Sequence, residues 1–461
     1  MRYFHSPLDS PLSRRSVIAQ AAALGASGLL GGRVFAQRVP ASSPAGALNQ
    51  GRLVVVFLRG AYDGLSALVP YADKDYYAMR PNIAIAAPDG SRETALKLDD
   101  RFAMHPALSP LMPLWQEGSL GVIASAGLAT PNRSHFDAQY LMEIGLQEKS
   151  STPLGWLNKL SASSAGSALG VGEANPAILA GQAAVKLIPR GDAAARTGVL
   201  ANEKQRSALM DLYAGNDKVS EAFRQGAGSR MQTSQELMNE RNTRTANANA
   251  NAEMVGMANP ANRRMLDKDG TPQTSVAQQA QMQAASNGAA DPVGLALDAQ
   301  HLATLMRNDP KLRLGFLSAG GWDTHANQGN AVGGLANNLG NLARGLAQLR
   351  SEFDQSGDLI IVMSEFGRTA AENGTRGTDH GFGNALWLIG NRVQGGKVHG
   401  QWTGLARGNL NDNRDLPAHH DYRAVLAQAL RSTFALPDSQ LQTLLPGSNW
   451  DQRLDGLFRK T

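Results

Sequence analysis

Five short apolar runs stand out along the chain: Leu53 to Leu58 (LVVVFL), Leu120 to Ala126 (LGVIASA), Leu312 to Ser318 (LRLGFLS), Leu359 to Met363 (LIIVM) and Ala385 to Ile389 (ALWLI). They show little polar alternation, the pattern of strands covered on both faces, as in a parallel sheet. Between the third and fourth runs, Val332, Leu335, Leu339, Leu342, Leu346, Leu349 and Phe353 recur at alternating steps of three and four, which predicts a helix with one apolar stripe. Strand, amphipathic helix and strand make a βαβ unit. Before Leu120, His105-Pro106 opens a further predicted helix that carries Leu108, Leu111 and Trp115 and ends at Gly118.

The pattern fails between Arg224 and Gly315, where no Phe, Trp or Tyr occurs. Residues 226–291 are rich in Gln, Asn, Ala and Met and contain the repeat Ala246-Asn247-Ala248-Asn249-Ala250-Asn251. Such a stretch supplies little core and reads as a low-complexity, partly helical insertion. Met231, Met238, Met254, Met257, Met265 and Met282 fall near or within it, so it is either a Met-rich lid or, more simply, a solvated spacer. The expected organisation is a leader over 1–36, an α/β domain in two parts over 37–225 and 292–461, and the insertion between them.

The leader reads as an export signal. Ser13-Arg14-Arg15-Ser16-Val17-Ile18 is followed by an uncharged stretch from Ser16 to Gly32 and by the small-residue cleavage pattern Val34-Phe35-Ala36. Paired arginines before a weakly apolar, Ala/Gly-rich stretch match a twin-arginine signal, although Val17 stands where phenylalanine is usual. The expected partner is therefore the twin-arginine translocase, which passes folded cargo, and the expected location is periplasmic or otherwise exported. No later run approaches the ~18 consecutive apolar residues of a membrane span, so no stable membrane anchor is expected.

Composition narrows the chemistry further. The 461 residues include 44 Lys+Arg against 39 Asp+Glu and no cysteine. Without cysteine there is no disulfide framework, no thiolate catalysis and no Cys-held zinc or iron–sulfur cluster, so any metal is held by His and carboxylates. Of the net charge of +5, more than half comes from Arg2, Arg14, Arg15 and Arg33 against Asp9 in the leader. The remaining surplus gives no reason to expect a nucleic-acid partner.

Four of the five predicted strands run into polar, glycine-rich segments: Arg59 to Gly64 (RGAYDG), Asn132 to Asp137 (NRSHFD), Gly320 to His325 (GGWDTH) and Ser364 to Thr369 (SEFGRT). In a parallel sheet the carboxyl ends of the strands share one edge, where ligand sites form. A fifth patch, Gly377 to Gly381 (GTDHG), precedes its strand and reaches that edge from a loop. Each feature has a plainer reading: Asp63-Gly64 is a common turn pair, and Ser134 three before Asp137 is a helix N-cap. An N-cap serine nevertheless sits where backbone N–H groups receive anions. Asp323 with His325, and Asp379 with His380, offer donors suited to zinc, manganese or a similar divalent ion, and Asp63 and Glu365 join them on the converging loops. Arg59, Arg133 and Arg368 either clamp an anion or neutralise the nearby acids. His5 falls in the leader, and His301, His419 and His420 read as structural or exposed.

The segments LVVVFLRGAYDGLS, His105-Pro106-Ala107-Leu108, NRSHFDAQ, GGWDTHANQ, MSEFGRT and GTDHGFGN, with the leader before them, resemble in that order the bacterial family called domain of unknown function 1501. That family looks like a distant branch of the alkaline phosphatase and sulfatase superfamily. The resemblance implies a doubly wound, mainly parallel α/β sheet with one or two divalent metal ions, zinc or manganese, at the strand ends. It implies Asp63, Asp323, His325, Glu365, Asp379 and His380 as metal-site residues, Ser134 as nucleophile, and Arg133 and Arg368 beside it. Phe366 departs from the pattern, because it stands where a ligating histidine is expected. An alternative register takes Asp379-His380 as the Asp-His pair and His399 as the last ligand. The activity implied is hydrolysis of a phosphate or sulfate ester, the partner a small anionic ester. The competing expectation is a non-catalytic exported protein that uses the same scaffold to bind an anionic ligand or a partner. A redox enzyme fits the leader alone, since no Gly-x-Gly-x-x-Gly follows the first strand.

Overall fold

The computed structural model describes residues 51–151, 154–255 and 275–459. The expected leader, residues 1–36, and part of the insertion, residues 256–274, lie outside them. A nine-stranded sheet forms the centre. Its strands are β1 (Leu53–Leu58), β2 (Leu120–Gly127), β3 (Ser167–Val171), β4 (Val185–Ile188), β5 (Leu312–Ala319), β6 (Leu359–Met363), β7 (Asn384–Ile389), β8 (Lys397–His399) and β9 (His420–Asp421). Their order across the sheet is β8-β2-β7-β6-β1-β5-β3-β4, with β9 also pairing β2. β1 lies parallel between β5 and β6, with Leu53 opposite both Leu314 and Leu359.

β7 is the exception in direction, being antiparallel to β2 and β6. Asn384, its first residue, pairs with Ala126 near the end of β2. The loop that leads into β7 therefore arrives at the edge where β1, β2, β5 and β6 end. This is how GTDHG, which precedes its strand, reaches the rim that the other four segments follow their strands to reach.

The runs are buried on both faces, as their missing alternation predicts. Val54, Val56 and Leu58 of β1 join one core, Leu53, Val55 and Phe57 the other. Helices α4 (Leu295–Asn308) and α5 (Gly334–Glu352) cover the first, through Leu302 and Leu346 among others, while α1 (His135–Ile144) and α6 (Tyr422–Phe434) cover the second with Met142 and Leu426. The chain is thus a mixed α/β protein with a large, mostly parallel sheet between helices. α2 (Lys218–Val255) begins before the stretch read as an insertion, residues 226–291, and runs into it, and α3 (Val276–Ala285) lies within it. Glu240 and Arg244 of α2 tie it to Arg307 of α4 and Glu352 of α5. Among the described residues, no helix is long and apolar enough to cross a membrane.

Two details depart from the sequence pattern. Val332 is 59% exposed and precedes α5, whose stripe begins at Leu335. The predicted helix after His105 is a 3-10 turn over Pro106–Leu111 followed by an α-turn over Met112–Gln116, because Pro110 and Pro113 remove donors that a continuous helix needs.

Candidate metal centre

At the carboxyl edge of the sheet, three segments bring imidazole and carboxylate groups together. His135 is the first residue of α1, capped by Ser134; Asp323 and His325 lie in the loop after β5; His380 lies in the loop into β7. His135, Asp323 and His380 offer ligand atoms that all fall within 4.8 Å of one another. The His135 Nε2 is 2.9 Å from the His380 Nε2 and 3.4 Å from the Asp323 Oδ1, and the His380 Nε2 is 3.3 Å from the same oxygen. His325 adds a third Nε2, 3.0 Å from that of His380 and 2.9 Å from the Asp323 Oδ1.

The rear of each ring fixes which nitrogen faces the centre. The Nδ1–H of His135 donates to the Glu365 Oε1 at 2.8 Å, that of His380 to the Arg133 carbonyl at 2.9 Å, and that of His325 to the Asp379 Oδ1 at 3.1 Å. These partners only accept, so each Nδ1 carries a proton, and each Nε2 is the nitrogen left to offer a lone pair to the centre. Three Nε2 atoms thereby face one carboxylate oxygen, which also accepts from the Arg368 Nη2 at 2.6 Å, and the three rings offer that centre acceptors. That arrangement calls for a cation. Donors about 2.05 Å from a tetrahedral ion stand about 3.3 Å apart, close to the 2.9, 3.3 and 3.4 Å that separate the facing atoms of His135, Asp323 and His380. Hydrogen bonding from Nδ1 to a carboxylate or carbonyl is also how ligating histidines are oriented. The Asp323 Oδ2 is buried without a hydrogen-bond partner, so the ligand set has one further acceptor to offer.

Electrostatics agree. Burial pushes the His135 imidazole down, but Asp323 and Glu365 outweigh it and hold its pKa above the usual histidine value. A proton on this ring is what the cluster attracts when no ion is there. Burial raises the Asp323 carboxyl, yet the three histidines and Arg368 leave it well below the usual range. Glu365 is likewise depressed, because His135 and Gln139 overcome its desolvation.

The remaining expected site residues have other partners. Asp63 is fully buried, and its two oxygens accept from Arg80 at 2.6 and 3.1 Å, with Ser66 and Gln328 also donating to it. It is a salt-bridge partner beside the cluster and not one of its members. Glu365 and Asp379 stand behind the rings of His135 and His325. Glu365 is fully enclosed, accepting also from the Gly60 N–H and Gln139. Gly60 has φ +109°, and a Cβ there would meet the Asp323 backbone nitrogen at 2.9 Å, so this approach needs glycine. Ser134 is exposed, and its Oγ accepts from the Asp137 N–H at 3.4 Å.

The arginines are also engaged. Arg133 pairs with Asp415 and Asp412. Arg368, buried, donates to Asp323 and to the carbonyls of Gly60, Ala61, Trp322 and Thr378. Arg59 is held by Glu143, Glu173 and Gln139. Phe366 leans on two of the converging rings, its centroid 4.8 Å from that of His135 and 5.2 Å from that of His380. His399 contacts the Gln394 carbonyl, away from the cluster, and the buried His420 pairs with Asp451. His301 is buried in α4, and His419 meets Thr403. His135 is the member that sequence reasoning passed over. It stood in the same NRSHFD segment, and a histidine on the first turn of a rim helix is the signal that would have found it.

The family model described as protein of unknown function (DUF1501) matches residues 50–445. Among curated proteins none matches the chain.

Proposed function

The chain belongs to the DUF1501 family, and from that premise we propose that it is an exported metalloprotein that holds one divalent transition-metal ion at the carboxyl edge of a phosphatase-like sheet. His135, Asp323, His325 and His380 would hold the ion. The observation that carries the proposal is the convergence of three Nε2 lone pairs on the Asp323 Oδ1, each with its Nδ1 committed to an acceptor. Three imidazoles and one carboxylate suit zinc better than manganese, which favours oxygen. One ion is favoured over two because the carboxylate that a second ion would need, Asp63, is neutralised by Arg80, and because phenylalanine occupies position 366.

A bound ion supplies Lewis acidity toward an oxygen ligand. The chain's own residues orient and screen it. Glu365, Asp379 and the Arg133 carbonyl fix the rings, Arg368 balances part of the Asp323 charge, and Phe366 walls off the buried side. His325 and His380, each with 22% of the side chain exposed, leave the opposite side open to a small anionic ligand. Export in folded form fits this reading, since the ligands assemble only when segments 135, 323–325 and 380 are folded together.

Ester hydrolysis is the second reading, with Ser134 as nucleophile on a phosphate or sulfate ester. It is favoured by one observation, that this exposed serine directly precedes His135 at the start of α1. Against it, Arg133 and Arg368 are already engaged. Elemental analysis of mature protein recovered from the periplasmic fraction tests both readings. The expected result is about one equivalent of a divalent transition metal, lost in His135→Ala and His380→Ala. Protein purified without any such metal, and unable to take up zinc, would end the proposal. Turnover of aryl phosphates or sulfates that disappears in Ser134→Ala would establish the hydrolase.

A further inference from the structure

We infer that Asp415 is a positioning residue of the metal centre, acting on His380 through two arginines; the inference rests on the metal-binding reading above. Asp415 has no exposed side-chain surface, yet it accepts from two guanidinium groups. Arg133 donates to its Oδ2 through Nε, at 3.2 Å, and through Nη2. Arg414 reaches its Oδ1 at 2.9 Å and its Oδ2 at 3.2 Å. Arg133 is shared with the exposed Asp412, so charge balance alone does not account for why both arginines meet on this one buried carboxylate.

The explanation lies in what else the two arginines hold. The backbone carbonyl of Arg133 accepts from the His380 Nδ1, and Arg414 donates to the backbone carbonyl of His380 at 2.6 Å. One carboxylate thus ties down both the acceptor behind the ring and the main chain that carries it. Arg133 also lies two residues before His135, so the same anchor fixes the entry into α1. Asp415 itself is set against the rim by backbone bridges to Thr369 and Asn411. It touches none of the converging Nε2 atoms. Its effect passes entirely through the orientation of His380 and the chain before His135, and outlying partners of ligating histidines typically carry about 10- to 100-fold in metal affinity.

The test uses full-length mature protein, stripped of metal and titrated with Co(II) against a competing chelator, with the visible spectrum of the bound ion as a second readout. Asp415→Asn is compared with Asp358→Asn. Asp358 is an equally enclosed carboxylate bound to Arg52 at the amino edge of β1 and β6, far along the strands from the rim. Asp415→Asn is expected to weaken Co(II) binding about 10- to 100-fold and to change its spectrum, whereas Asp358→Asn keeps the wild-type affinity and spectrum. Should Asp415→Asn not fold, Arg414→Ala carries the same test, because that side chain is partly exposed and Asp415 keeps Arg133. Its expected loss is several-fold. Wild-type affinity in Asp415→Asn overturns the inference while the metal site stands, as does an equal loss in both Asp variants. A wild-type protein that binds no Co(II) overturns the metal reading and this inference together.

Discussion

Asp63 and Arg80 are both fully enclosed, and Arg80 also donates through Nε to the Ala370 carbonyl and through Nη2 to that of Thr369. Burial alone would raise the Asp63 carboxyl, but Arg80, Ser66 and Gln328 overcome it and hold its pKa below the usual value. A depressed carboxylate contributes stability in full above the unfolded value of about 3.9 and loses it as pH falls through the folded one. Arg80→Met removes the partner and leaves a buried charge, which should cost about 3–5 kcal/mol in urea unfolding at neutral pH. Without Arg80, desolvation raises the Asp63 pKa, so the deficit should shrink as the pH is lowered. A deficit below about 1 kcal/mol, or one that does not change with pH, would mean that the pair is not a buried ion pair. Asp323, His325 and His380 were legible because glycine-rich strand ends announce them. Arg80 was not, for it sits 17 residues from Asp63 with no pattern linking the two. His135 was visible by type, but the capping reading of Ser134 drew attention to its neighbour.

At the level of elements, the five apolar runs appear as β1, β2, β5, β6 and β7, because strands buried on both faces need unbroken apolar sequence. SALGV and VKLI, β3 and β4, were too short and too mixed to signal themselves. The direction of β7 was also invisible, since an apolar run reads alike either way. That direction matters to the site, as the loop before β7 must pass tightly against the segment after β6. Gly381 donates to the Gly367 carbonyl at 2.8 Å, and His380 bridges Arg368. A Cβ on Gly381 would lie 2.4 Å from the Arg368 carbonyl carbon, so Gly381→Ala must push the two segments apart and carry His380 with them. Gly374 lies in the same loop, and a Cβ there would meet nothing within 4 Å. Zinc affinity measured by chelator competition should fall about 10-fold or more in Gly381→Ala and remain unchanged in Gly374→Ala. Equal affinities in the two variants would show that the loop tolerates displacement and that His380 does not depend on it.

Over the whole molecule, the converging groups come from residues 135, 323, 325 and 380, so the centre joins the start of α1 to the loops around β5 and β7. An ion bound there must be released, or its ligands pulled apart, before these parts separate. Binding to the folded state alone stabilises it by about 2.7 kcal/mol when the free ion is at 100 times its dissociation constant. For a domain of this size that is a rise of roughly 3 °C in melting temperature. Strands β1, β5 and β6 hold a buried apolar core on both faces without help from the rim, so the protein should remain folded when the ion is removed. Calorimetry of the mature protein with excess chelator and then with saturating zinc should therefore show one cooperative transition in each case, displaced upward by zinc. His380→Ala should melt at the same temperature in both conditions. If the wild-type transition does not move, no ion spans these segments. If chelation instead abolishes the transition, the centre is a condition of folding, and the two cores are not self-sufficient.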